Sequence, residues 1–219
     1  MGRESQVVTV ALPVVVGAVF VWSYIGCHDR FTWVLETAPA IIGIAILAAT
    51  WRRFRFTTLV YVLIALHAMV LMVGGHYTYA RVPLFDSLRD WMHFSRNNYD
   101  RLGHFMQGFV PAMIAREVLL RTTPLRRGKM LTMLVLSVCL AISASYELVE
   151  FGVAKWQGTA ADDFLGTRGD PWDTQWDMFC CLVGAICSVL FLSRMQDRQL
   201  SGMRVSESEQ TPPIPARLR

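Results

Sequence analysis

Asp100, His104 and Gln107 are spaced i, i+4, i+7, which on an α-helix gathers the three side chains within about 60° of one face over two turns. Ser143, Glu147 and Glu150 repeat that spacing, and Asp173 and Asp177 stand one turn apart. Carboxylates and an imidazole arranged in this way can ligate a divalent cation, exchange protons as general acid and base, or relay protons. They lie in or beside two polar blocks, residues 100–107 and 162–177, and each block leads straight into an apolar run. Charges in that position must be wet, paired or bound.

The elements that position them follow from composition. The 219-residue chain is 53% hydrophobic and 17% charged, too apolar for an ordinary water-soluble domain. A bilayer core takes about 20 helical residues to cross. Six segments meet that need: residues 7–25 with Pro13, 34–50 with Glu36 and Pro39, 57–75, 99–120 with Pro111, 130–153 and 172–193. A cleaved leader is disfavoured for the first segment, because bulky Tyr24 and Ile25 stand where processing sites carry small residues.

With the first helix starting inside, Arg52, Arg53 and Arg55, then Arg121, Arg126, Arg127 and Lys129, then Arg194, Arg198 and Arg204 all fall on the inner side. The expected fold is therefore all-α and polytopic, with six transmembrane helices and both termini cytoplasmic. The same placement accounts for the formal charge of +4 without a nucleic-acid partner. Residues 1–195 read as one membrane domain and 196–219 as a disordered polar tail. After Pro83, apolar Leu84, Phe85, Leu88, Trp91 and Met92 alternate at helical spacing with Asp86, Arg89, Asp90 and His93, which predicts a short interfacial helix around 84–94.

The cysteines form no disulfide framework and no Cys-x-x-Cys pair. His67 and His76, nine residues apart, fall on opposite faces of one helix and cannot share a ligand. Gly-x-Ser-x-Gly, phosphate-binding Gly-rich loops and His-Glu-x-x-His are missing.

Topology and depth then combine. Helices running outward end near Glu147 and Glu150, and helices running inward begin near Asp100, His104, Asp173 and Asp177, all within about 10 Å of one outer boundary. Packed carboxylates repel and resist burial, so a basic partner, protons or a divalent cation must accompany them. The expected metal ligands are Asp100, His104, Glu150, Asp173 and Asp177, for Mg²⁺, Mn²⁺, Ca²⁺ or Zn²⁺. Asp100, His104, Glu147 and Glu150 are the expected acid–base residues, and Arg101, Gln107, Tyr146 and Gln175 the expected substrate contacts.

Three runs carry a resemblance: Asp100-Arg-Leu-Gly-His104-Phe-Met-Gln107-Gly108-Phe-Val-Pro111-Ala112, Tyr146-Glu147-Leu-Val-Glu150, and Phe164-Leu-Gly-Thr-Arg-Gly-Asp170-Pro-Trp172-Asp173-Thr-Gln175-Trp-Asp177-Met. They resemble the YjdF-type family of bacterial inner-membrane proteins, whose pattern has glutamine where this chain has Arg168. The polar helix starts are more distantly similar to the VanZ-like membrane proteins, which are linked to glycopeptide resistance. The resemblance implies an inner-membrane protein and no particular activity.

The reading favoured by the residues is a metal-dependent hydrolase or transferase acting on lipid-linked or phosphorylated substrates from an outward-facing acidic pocket. The alternatives are a proton-coupled transporter of small molecules and a non-catalytic protein that binds a lipid headgroup or serves as a scaffold.

Overall fold

A computed structural model describes residues 7–157 and 170–210, and the polar stretch holding Asp162, Asp163, Thr167 and Arg168 lies outside them. Every regular element among the described residues is helical. A π-helical turn, Val7–Ala11, leads into α1 (Leu12–Tyr24). Pro13 stands where the wide turn gives way to the α-helix, since its ring nitrogen has no hydrogen to donate backwards.

Helix α2 (Arg30–Thr50) starts four residues before its predicted position at Val34. The cause is Asp29, whose carboxylate accepts the Thr32 N–H at 2.6 Å and caps the helix. That same bond holds the Asp29 carboxyl below its ordinary pKa. Helix α3 (Thr58–Tyr77) ends at Thr78 and Tyr79, both left-handed with φ of 58° and 31°.

Helix α4 (Pro83–Met92) matches the predicted short amphipathic segment, and His93 closes it at φ 55°. Asn97 ties it down by donating to the Val82 carbonyl at 3.0 Å and to Asp86 at 3.1 Å. Then come α5 (Tyr99–Thr122), α6 (Lys129–Gln157) and α7 (Asp173–Gln210).

By length and composition, α2, α3, α6 and α7 are each able to cross a membrane. Helix α5 is long but polar, and its polarity points inward: Arg116 and Glu117 are buried along with His104. The main core joins Val60 and Leu63 of α3, Val110 and Met113 of α5, Val135 and Cys139 of α6, and Cys181 and Ala185 of α7. Helices α1 and α2 pack on the opposite flank of α3, around Ala40, Ala68 and Met72.

The last helix does not stop at Ser193. It continues to Gln210, so the boundary expected at 195 falls inside it, while residues 211–219 lie outside the described part. A polar clamp explains the extension. Buried Glu117 accepts from the Thr57 N–H at 2.9 Å, the Thr57 hydroxyl at 2.7 Å and Arg121 at 3.0 Å. Arg116 donates to Gln196 at 2.7 Å and Asp197 at 2.8 Å, and Gln196 donates to the Met113 carbonyl at 2.8 Å. Gln199 accepts the Leu59 N–H at 2.9 Å. Glu117 ties α5 to the start of α3, and the bonds of Gln196, Asp197 and Gln199 anchor α7 beyond Ser193 to α5 and α3.

Candidate functional site

Helices α5 and α7 form the most extensive pair in the molecule, and glycine permits it. A Cβ on Gly108 would stand 1.8 Å from the Cys181 carbonyl oxygen, and one on Gly184 would stand 2.0 Å from that of Phe105. The backbones therefore touch, as in small-residue crossings of membrane helices. The crossing brings the first turns of both helices together. Ligating atoms of Asp100, His104 and Asp177 all lie within 4.8 Å of one another. His104 Nε2 is 3.6 Å from Asp100, and its Nδ1 is 3.1 Å from the Gln107 side-chain Oε1 and 3.8 Å from Glu147 on α6.

Other helices complete a polar ring. Glu36 of α2 is 5% exposed and lies within hydrogen-bonding reach of the Tyr79 hydroxyl. Tyr79 reaches it from a slot between two glycines: a Cβ on Gly74 would lie 2.2 Å from its ring, and one on Gly103 2.8 Å. Its left-handed backbone is an uphill conformation for a tyrosine, held by that enclosure. Tyr146 and Glu150 contribute from α6. Together with Asp100, His104 and Gln107 these groups line the polar end of a cavity of about 360 Å³.

The expected site residues thus divide. Asp100, His104, Gln107, Tyr146 and Glu150 line the cavity, with Glu147 and Asp177 against His104 and Asp100. Asp173, expected as a metal ligand, is instead ion-paired with Arg96 and lies 3.8 Å from Arg101. Arg101, expected as a substrate contact, pairs with Asp170 at 3.2 Å and stacks over Trp176 at 5.2 Å. Gln175, expected as a substrate contact, is exposed on α7 and does not line the cavity.

His67 lines the cavity while His76 turns to α1, where its Nδ1 stands 3.0 Å from the Ser23 carbonyl and its ring stacks on Trp22. Glu36, Tyr79 and Arg96 were not expected. For Glu36 the available signal was an acid followed three residues later by Pro39 inside an apolar run; for Tyr79 it was the pair Gly74 and Gly103. Arg96 had no local signal, since its partner Asp173 is far along the chain.

Fold and site together define a polytopic α-helical membrane protein with a buried cluster of acids and histidine where its helix ends converge. The chain belongs to the family described as Predicted membrane protein (DUF2238), which matches residues 8–198. It is 53% identical over 182 residues to the inner membrane protein YjdF of Escherichia coli (strain K12), a match covering 83% of this chain and 87% of that protein. No solved structure matches it. It is accordingly a multi-pass protein of the inner membrane, and the resemblance read from its polar motifs holds.

Proposed function

We propose that this protein holds a divalent cation between Asp100, His104 and Asp177 at the outer face of the membrane and uses it as a hydrolase or transferase of phosphorylated or lipid-linked substrates. The observation that carries this reading is Asp177. It is 2% exposed, and its Oδ1 has no hydrogen-bond partner among the described residues, although Asp100 and His104 stand within ligand distance. A bare buried carboxylate is costly, and a shared cation removes the cost.

Two carboxylates and one imidazole suit Mn²⁺ or Zn²⁺ better than the all-oxygen preferences of Mg²⁺ and Ca²⁺. A cation there supplies polarisation of a phosphoryl oxygen and a bound water of lowered pKa. In this reading Glu147, 3.8 Å from His104, and Glu150, which lines the cavity, serve as acid and base.

The topology that puts this site outside has six spans. The π turn and α1 together cover 18 residues, from Val7 to Tyr24, or about 27 Å, and α5 covers 24 residues, or about 36 Å, against a hydrocarbon core of about 30 Å. The basic inner loops keep both termini in the cytoplasm, with α4 lying in the outer interface. Passage of a polar solute fits less well: below the acids the cavity is lined by apolar groups except for His67 and Gln107, and Arg116 and Glu117 are committed to the inner clamp.

Metal content of the protein in mild detergent, after loading with Mn²⁺ or Zn²⁺, tests the reading. Near-stoichiometric metal is expected in the parent and in Gln175→Ala, and its loss in Asp177→Asn that still elutes as folded protein. A parent that stays metal-free after exposure to Mg²⁺, Mn²⁺, Ca²⁺ and Zn²⁺ in turn overturns it.

A further inference from the structure

The cavity does not end at its polar rim. Helices α3 and α5 form its floor, through His67 and Ala68 on one and Val110 and Pro111 on the other, and α2 and α6 form its two sides. Among the described residues α2 and α6 do not pack against each other, although both line the cavity. It is therefore a groove with a sideways opening between these two helices, where a bilayer would lie. Its acids, His104 and Tyr146 sit at one end, and from Pro39 to Leu47 the α2 wall is Pro39, Ala40, Gly43, Ile46 and Leu47. From Glu36 to Leu47 the groove follows α2 for about 16 Å. That is about half of a 30 Å hydrocarbon core, the depth of one leaflet.

We infer that this groove seats one hydrocarbon chain of an outer-leaflet phosphate-bearing lipid, which enters sideways between α2 and α6 and presents its phosphate to the acid and histidine end. The phosphate half of the inference rests on the cation reading above; the chain half rests on the groove. Length, lateral opening and the change from polar to apolar along the groove are the features that distinguish such an amphiphile from a free phosphate. A second cavity of about 680 Å³ between α1, α2 and α3 has no charged group in its lining and therefore offers no headgroup site.

Gly43 makes the inference testable, because a Cβ there would meet nothing within 4 Å and the position lines the groove. Gly43→Phe fills the groove from α2. Ile142→Trp does so from α6, where Ile142 is partly exposed at the opening. Ile42→Phe, on the lipid-facing side of α2, is the control.

The probe is phosphatidic acid with a diazirine in one acyl chain, supplied in phosphatidylcholine vesicles holding the full-length protein loaded with Mn²⁺. Photolabelling should fall on groove-facing peptides of α2 and α3, and should drop about tenfold in each filled variant while the control keeps it. Excess unlabelled phosphatidic acid should displace the probe, and glycerol phosphate should not. Equal labelling of parent, both filled variants and control overturns the inference, as does displacement by glycerol phosphate. Metal measured on the same samples separates the two readings. Full metal without groove labelling removes the chain site alone, whereas labelling that persists in a parent unable to bind metal keeps the chain site and removes the cation.

Discussion

Asp29 accepts the Thr32 N–H, and its lowered pKa gives that contact a pH signature. A carboxyl whose folded pKa lies below its unfolded value stabilises the fold above the unfolded value, about 3.9, and loses that contribution as pH falls through the folded one. Asp29→Ala should therefore lower the melting temperature at pH 7, at a cost of up to about 1 kcal/mol and towards the low end because the residue is exposed. The difference between parent and variant should close below about pH 4. A gap that persists undiminished at pH 3 would show that the cap acts through something other than its charge.

At the same scale, Asp100, His104 and Gln107 were readable because helical geometry alone places i, i+4 and i+7 together. Glu36 was not, because its direction is set by how α2 lies on α3. Asp173 looked like a ligand by spacing from Asp177, and only the fold reveals Arg96 against it.

Among the elements, α5 and α7 are bound by backbone contact at Gly108 and Gly184. Gly184→Val forces the helices apart and should destabilise the protein by about 1–3 kcal/mol, measured as loss of thermal stability in detergent. It should also weaken cation binding, since Asp100 and His104 ride on one helix and Asp177 on the other. A variant with parental stability would show that the crossing has slack. Helix existence was readable from apolar length for α2, α3, α6 and α7, and from amphipathic spacing for α4. The ends were less so: α2 begins early because of one cap, and α7 continues because Gln196, Asp197 and Gln199 find partners on other helices. A polar run after an apolar one reads as a tail until those partners are known.

For the whole molecule, the asymmetry of Arg and Lys between loops sets the expected orientation. Cys27 offers a native reporter, since it is partly exposed just before α2 whereas Cys139 and Cys181 are buried. A membrane-impermeant maleimide added to intact cells stripped of their outer membrane should label Cys27, and Cys27→Ser should abolish the signal. Labelling of Cys27 only after the membrane is broken would invert the topology and place the acid cluster on the cytoplasmic side. The spans at 34–50, 57–75, 130–153 and 172–193 were legible from apolar length, but the groove was not: it exists because α2 and α6, which do not pack together among the described residues, share a floor made by α3 and α5.

The glycine crossing also acts as a fulcrum. From Gly108, Asp100 and Arg116 each lie eight residues away in opposite directions, so α5 carries arms of about 12 Å on either side of the contact. Two stiff rods held together at their middle by Gly108 and Gly184 tilt about that contact, and a tie at one end limits the tilt at the other. The inner clamp of Arg116, Glu117, Gln196 and Asp197 is such a tie, and it bears on the gap between Asp100 and Asp177 without touching either residue.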